Sequence, residues 1–318
     1  MKRFQGKKII VTGGCGFIGS HLVRQLLNED AQSIVIIDSL RYGDTNNLPE
    51  LKNPKVKLFQ FTLGLEKSAE VESAFQGADF LFHLAAEKHN QSKDSPENVI
   101  IANIVGTNYL YELAVKNNLK KVVFTSSLYA YGKMNCENFN ETDLAHPTTV
   151  YGVSKFSGEG LLWHHLKKSQ TMGDVVRYFF VYGPRQFAGM GYKSVIIKNF
   201  ERVQQGLPPV IFGDGQQTLD YIFVDDAVEA TIQTMLSQTS GEVYNVGSGQ
   251  GYSVNDLIQQ MRQVSACNLN PEMGPADWTH GSRRVGNNGK IQKMMGWSPK
   301  VSLSEGLAKT WSWLQESK

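Results

Sequence analysis

Lys8-Ile9-Ile10-Val11-Thr12-Gly13-Gly14-Cys15-Gly16-Phe17-Ile18-Gly19-Ser20-His21-Leu22-Val23-Arg24-Gln25-Leu26-Leu27 decides the fold. An apolar run leads into spaced glycines and then into a segment with helical apolar spacing, which reads as strand, glycine loop, helix. Gly13 suits the tight turn, Gly16 the approach of a backbone to a pyrophosphate, and Gly19 the close packing of helix on strand. The helix N-terminus offers unpaired N–H groups to the phosphates. A second apolar run, Ser33-Ile34-Val35-Ile36-Ile37, ends at Asp38. A carboxylate about 20 residues beyond the glycines suits an adenosine ribose diol. These segments predict a bound dinucleotide. Asp38 would repel a 2′-phosphate, which favours NAD over NADP, although Arg41 lies close enough in sequence to argue the other way.

Working outward, strand-like and helix-like segments alternate through the first half. Strands are expected at Val56–Phe61, Phe80–His83, Lys121–Thr125 and Asp174–Phe179, and helices near 69–75, 99–117 and 151–168. Such alternation predicts an α/β fold, a doubly wound parallel (Rossmann) sheet with helices on both faces. From about residue 180 glycines and prolines multiply: Gly183-Pro184, Gly189, Gly191, Gly206, Pro208-Pro209, Gly213 and Gly215. This predicts a smaller, loop-rich substrate domain. The expected division is 1–179 for the dinucleotide domain, plus a segment returning near 220–247, and 180–318 mainly for substrate, the two interleaved.

The 318 residues carry a formal net charge of +2 and no basic run, so neither nucleic acid nor a membrane surface is an expected partner. Cys15, Cys136 and Cys267 are widely spaced and form neither a disulfide framework nor a metal-ligand pattern. No apolar run approaches the length of a signal peptide or a membrane span, and a cytoplasmic location is expected.

Tyr151-Gly152-Val153-Ser154-Lys155 places a phenol and an ammonium four residues apart, on one helix face. A phenol is a poor base at neutral pH, and a nearby ammonium favours its ionised form. A tyrosine so tuned takes a proton from a hydroxyl while hydride leaves the same carbon. Ser127, at the end of a strand, is placed to bond that hydroxyl oxygen. An ordinary amphipathic helix carries the same spacing, so the preceding dinucleotide half is what gives the pair its meaning.

At this point the chain resembles the extended short-chain dehydrogenase/reductase family, the NAD-dependent nucleotide-sugar epimerases and dehydratases. The resemblance runs through Thr12–Gly19, Asp38, His83-Leu84-Ala85-Ala86, Asn103 with Gly106-Thr107, Ser126-Ser127, Tyr151–Lys155, Tyr182–Gln186, Gly213–Gly215, Asp220-Tyr221 with Val224-Asp225-Asp226, and Tyr244–Gly247. It implies NAD as cofactor, lined by Phe17, Ile18, Leu84, Ala85, Ala86 and Asn103, with Lys155 also on the nicotinamide ribose and Tyr178 near the nicotinamide. Thr62 stands where the family has an Asp that touches adenine. The implied substrate is a nucleotide-diphosphate sugar. Phe212 and its neighbours would face the base, and Glu87, Lys88, Tyr129, Phe180, Lys193 and Ser194 would line the sugar side. The helices near 99–117 and 151–168 look like the family's dimer-forming pair, which implies a homodimer.

Dehydratases of the family carry an acid pair directly after the equivalent of Ser127, and related decarboxylases carry a glutamate where Tyr129 stands. Leu128 and Tyr129 occupy those positions here. The expected reaction is therefore oxidation at C4 and hydride return to either face, a 4-epimerisation. Glu87, Lys88 and His89 leave open a dehydratase, a 3- or 5-epimerase or a C4 oxidoreductase. A catalytically silent NAD sensor or scaffold is a further alternative, although such members typically lack the Tyr or the Lys. Phe180 and Leu219 replace an Asn and an Arg that usually hold the sugar diphosphate, and the segment Trp278–Gly286 departs from the epimerase pattern. Arg283 or Arg284 would supply the missing charge, since guanidinium binds phosphate well.

Overall fold

The computed structural model describes residues 2–132, 137–186, 193–277 and 279–316. Of the residues singled out above, Cys136, Gly189, Gly191 and Trp278 lie outside this set. The chain forms β1 (Lys8–Thr12), α1 (Phe17–Asn28), β2 (Ser33–Asp38), β3 (Val56–Gln60), α2 (Ala69–Phe75), β4 (Phe80–His83), α3 (Gln91–Asp94), α4 (Pro96–Ile100), α5 (Thr107–Lys116), β5 (Lys121–Ser127), α6 (Val150–Leu166) and β6 (Met172–Tyr178). It continues through β7 (Phe180–Tyr182), α7 (Val195–Gln204), β8 (Val210–Phe212), β9 (Thr218–Leu219), β10 (Tyr221–Phe223), α8 (Val224–Leu236), β11 (Val243–Val246), β12 (Tyr252–Ser253), α9 (Val254–Val264), β13 (Glu272–Gly274), β14 (Arg283–Arg284), α10 (Gly289–Met295) and α11 (Leu303–Glu316). Two compact units divide it. One comprises residues 1–134, 144–177 and 231–244, the other 135–143, 178–230 and 245–318.

The first unit is built on a seven-stranded parallel sheet in the order β11-β6-β5-β4-β1-β2-β3, a Rossmann-like α/β arrangement with flanking helices. The strands are apolar because both faces are covered. β5 is buried along its whole length, and Ile10, Leu81, Val122, Phe124 and Val175 pack with Tyr111, Leu110 and Leu162 of the helices. Register fixes where the functional ends lie. Thr12 of β1 stands opposite Ile37 of β2 and His83 of β4, and Asp38 opposite Gln60 of β3. The carboxyl ends of β1, β2 and β4 therefore share one edge, the edge at which doubly wound sheets bind ligands.

The helix expected over 99–117 is interrupted. Between α4 and α5 the backbone makes a six-residue π-helical turn, Ile101–Gly106, with Asn103 inside it. Such turns gather at functional sites. Deeper in the same unit, Lys121 and Asp174 form a buried ion pair at 2.7 Å, their side chains 1% and 0% exposed. The pair is capped from 237–242. Lys121 Nζ donates to the Ser237 and Thr239 carbonyls at 3.0 and 2.9 Å, and Asp174 accepts from Thr239 Oγ1 at 2.7 Å and Glu242 N at 2.9 Å. A buried ion pair is tolerated when its remaining donors and acceptors are filled in this way.

The second unit holds short strands in small sheets: β7 with β10, β9 between β12 and β14, and β8 with β13. Asp220, between β9 and β10, ties it together. Its Oδ1 accepts from Ser248 N and Ser248 Oγ, both at 2.6 Å, and its Oδ2 from Gly249 N and Gly286 N, both at 3.1 Å. Among the described residues no helix is long and apolar enough to cross a membrane.

Candidate active site

The glycine loop is shaped by what a side chain would strike. Gly13 has φ +71°, and a Cβ there would lie 2.8 Å from Ala85 N. At Gly19 a Cβ would lie 2.0 Å from the Gly13 carbonyl oxygen. α1 then begins at Phe17 with Gly16 as N-cap, no capping side chain and no acid in its first turn. Its leading N–H groups and the positive end of its dipole are thus left for an anion. Phe17 and Ile18 lie half-buried in that turn. Asp38 is 6% exposed, and burial raises its carboxyl above the usual range, while Leu40 N and Cys15 N donate to it at 2.8 and 2.9 Å and oppose that rise. Thr62, just beyond β3, is exposed.

The end of β4 is set by a buried relay. Thr12 Oγ1 accepts from Leu84 N and Ala85 N, both at 3.1 Å, so its proton goes to His83 Nδ1 at 2.7 Å. That leaves His83 Nε2–H to donate to Thr107 Oγ1 at 2.9 Å. Complete burial pushes the His83 pKa down to about 3, so the ring stays neutral. Asn103 brackets the next residue. Its Oδ1 accepts from Glu87 N at 2.7 Å, and its Nδ2 donates to Glu87 O and Ser154 Oγ, both at 3.0 Å. The π-helical turn thereby joins the segment after β4 to the helix that carries Tyr151 and Lys155.

Arg41, Tyr42 and Glu87 form a cluster that the motif spacing did not reveal. Glu87 accepts from Arg41 Nη1 and from the Tyr42 hydroxyl, each at 2.9 Å. Arg41 is therefore paired, which answers the concern that it would favour a 2′-phosphate. Lys88 lies over the Tyr42 ring at 5.0 Å, with its pKa lowered by burial. The His89 ring stacks on Tyr129 at 4.5 Å, and Tyr129 meets Tyr151 edge-on at 5.5 Å.

Ser127, Tyr151 and Lys155 converge at the end of β5. Thr149 caps α6 by accepting from Gly152 N at 3.0 Å, which sets the start of the helix and the phase of Tyr151. Lys155, 3% exposed, donates to the Thr125 carbonyl at 2.9 Å and lies 5.9 Å from the Tyr151 ring centre. Burial dominates both pKa values. It pushes Tyr151 up to about 12, with the Ser127 hydroxyl drawing it back, and pushes Lys155 down to about 7, with Glu159 drawing it back. The expected lowering of the phenol by Lys155 is not seen in the protein alone, where only the Ser127 hydroxyl opposes burial. Glu159, one turn beyond Lys155, is a residue the sequence reading missed. It accepts from Ser126 Oγ at 2.5 Å and pairs with Arg177 at 2.6 Å. Its spacing from Lys155 on the same helix face was the available signal.

The other anticipated positions belong to the second unit, among them Tyr178, the buried last residue of β6. Phe180 packs on Tyr221 at 5.9 Å. Lys193 is paired with Glu201 at 2.8 Å, and Ser194 caps α7 while donating to Gln186 at 2.7 Å. Phe212 ends β8, and its carbonyl accepts from Gln217 at 2.9 Å. Arg283 donates to the Glu137 carbonyl at 2.7 Å, and Arg284 Nε to Ser282 Oγ at 3.3 Å.

A parallel sheet whose first strand opens into an uncapped glycine loop, with a Tyr-x-x-x-Lys pair, its lysine buried, at the end of the fifth, defines a dinucleotide-binding protein of the short-chain dehydrogenase type. The chain belongs to the NAD dependent epimerase/dehydratase family, whose model matches residues 9–247. It is 30% identical to a putative UDP-glucose 4-epimerase of Methanocaldococcus jannaschii over 97% of this chain and 99% of that protein. A UDP-glucose 4-epimerase from Thermotoga maritima, solved with UDP-glucose, superposes with a TM-score of 0.90 at 32% identity, covering 97% of this chain and 99% of that one. DesIV of Streptomyces venezuelae, a dTDP-glucose 4,6-dehydratase solved with NAD and TYD bound, gives 0.88 at 25% identity over 97% of each chain. The relatives are thus 4-epimerases and 4,6-dehydratases, with a decarboxylase among them. The family uses NAD, and the uncapped α1 terminus, the glycine loop and Asp38 suit that cofactor here.

Proposed function

We propose that the chain is a nucleotide-sugar 4-epimerase working through a transient 4-keto sugar. The observation that carries this reading is that no carboxylate follows Ser127 at the two positions where the family's dehydratases carry their acid pair, while His89 stacks on Tyr129. Leu128, 2% exposed, and Tyr129 follow Ser127, and Glu87 is committed to Arg41 and Tyr42. Elimination needs a group to protonate a departing hydroxyl, and epimerisation does not. Bound NAD supplies the acceptor and later the donor of hydride, and its cationic nicotinamide favours a neighbouring phenolate. Tyr151 takes the proton of the C4 hydroxyl, and Ser127 bonds its oxygen. When protonated, Lys155 lends positive charge to the phenol, and it would hold the nicotinamide ribose. After the 4-keto sugar turns, Tyr151 returns the proton as hydride re-enters C4 on the opposite face, so no oxidant is consumed.

In this reading the first unit binds the dinucleotide and the second reads the nucleotide sugar, with Phe212 toward the base and Arg283 or Arg284 toward the diphosphate. A homodimer is part of the proposal. On α6, Val153 and Phe156 are 45% and 43% exposed, and Ile100 and Val105, on the neighbouring α4 and π-helical turn, are 44% and 39%. Apolar residues gathered on one helical face suit a partner of the same kind.

UDP-, GDP-, dTDP- and CDP-sugars deuterated at C4, followed by NMR, test the reaction. One of them is expected to give its C4 epimer with the label still at C4. Release of water, or wash-in of solvent deuterium at C3 or C5, would replace this reading with dehydration or enolisation. The absence of turnover on every sugar would favour a sensor.

A further inference from the structure

We propose that Glu87, Arg41 and Tyr42 form a clasp across the glycine loop that retains NAD between turnovers. The sheet order places β1 between β4 and β2. The segment after β2 and the segment after β4 therefore flank the loop that leaves β1, and both lie against it. Asp44 N donates to the Cys15 carbonyl at 3.1 Å, and a Cβ at Gly43 would come within 3.0 Å of Cys15 Cβ. On the opposite flank, a Cβ at Gly13 would lie 2.8 Å from Ala85 N. The bonds from Glu87 to Arg41 and Tyr42, both 2.9 Å, join the two flanks over the loop between them. A dinucleotide held by Asp38 at its adenosine ribose and by Lys155 at its nicotinamide ribose would pass the loop so bridged.

The join is made by groups suited to holding. Glu87 is fixed at its backbone by Asn103 at 2.7 and 3.0 Å, so its carboxylate presents a preset acceptor. Burial and that carboxylate push the Tyr42 phenol up to about 12, which keeps it protonated and donating. The Arg41 guanidinium lies 5.3 Å over the Tyr42 ring, so the two donors also brace each other. The Arg41 side chain is 45% exposed, and an ion pair open to water on one side holds weakly. The clasp therefore parts and re-forms without unfolding the loop. An enzyme that takes hydride and returns it to the same substrate gains from such retention, because losing reduced cofactor in mid-cycle would strand a keto sugar. The inference rests on NAD as cofactor, and its test needs no sugar.

Protein loaded with NAD labelled in the adenine ring is diluted into excess unlabelled NAD, and retained label is followed by rapid filtration. In Glu87→Gln the release rate is expected to rise about fivefold, the factor that a partly exposed ion pair and its accompanying hydrogen bond carry. Tyr42→Phe, which keeps the ring and its packing, is expected to release faster than the parent but slower than Glu87→Gln. The exchange Arg41→Glu with Glu87→Arg is expected to release more slowly than either of its single changes. Release within twofold of the parent in both Glu87→Gln and Tyr42→Phe overturns the clasp. So does a parent that exchanges its NAD within the mixing time.

Discussion

Tyr151, half-buried, and Lys155, buried, each resist ionisation where they sit, because the surrounding protein desolvates them. The phenol is pushed up to about 12 and the ammonium down to about 7. In the proposed mechanism Tyr151 would act as base with help from what surrounds the pair: the Ser127 hydroxyl, the Glu159 carboxylate beside Lys155 and, once NAD is bound, its cationic ring. Tyr151→Phe keeps the ring against Tyr129 and removes the hydroxyl. Turnover is expected to fall roughly 10²- to 10⁴-fold, the value of one positioned acid–base group, while NAD stays bound. A steady-state assay paired with cofactor analysis of the purified variant checks both halves, and retention of a tenth of the activity would move the base to another residue. The spacing of Tyr151 and Lys155 was legible in the sequence. Their burial was not, because it depends on strands far away in the chain, and so the balance between burial and charge had to wait for the fold. Arg41 shows the same limit. Its nearness to Asp38 suggested a phosphate partner, and only the packing of two loops turns it toward Glu87.

At the scale of elements, the glycine loop and α1 act as one piece. A Cβ at Gly19 would meet the Gly13 carbonyl at 2.0 Å, backbone against backbone, with no side chain able to give way. Gly19→Ala is expected to cost about 1–3 kcal/mol of stability through overpacking and to weaken NAD binding by displacing the turn. Thermal melts and calorimetric titration with NAD measure the two effects, and a variant with unchanged affinity would show that the loop tolerates the shift. Strands β1 and β2 were readable because short apolar runs end in glycine or an acid, and β4 because Phe80-Leu81-Phe82 is itself a short apolar run. The π-helical turn was not. Apolar periodicity over 99–117 fits a single helix, and one extra residue per turn at Asn103 falls within the scatter of that pattern. What demands it is a tertiary need, the reach of the Asn103 carboxamide to both backbone groups of Glu87. The strands of the second unit were missed for a simpler reason. Runs of two or three residues, such as Thr218–Leu219, are too short to show any period.

For the whole molecule, Phe156 is the point of leverage on assembly. It is 43% exposed on α6, outside the buried core. Phe156→Glu is expected to shift the protein from dimer to monomer in light scattering with little change in its melting temperature. A parent that already runs as a monomer at micromolar concentration would remove the dimer from the proposal. A larger constraint follows from the order in which the chain is written. Lys121 and Asp174 have both left the ribosome long before residues 237–242, which carry the carbonyls, hydroxyl and N–H that satisfy them. While residues 178–230 are being synthesised, two charges destined for the interior lack most of their partners, and the edge of β6 lacks β11. The nascent chain thus passes through a stage in which most of the sheet is present but cannot close. Exposed strand edges of this kind are what chaperones protect. For this chain, completion of the nucleotide-binding sheet is a late event in translation, timed by a short stretch near residue 240.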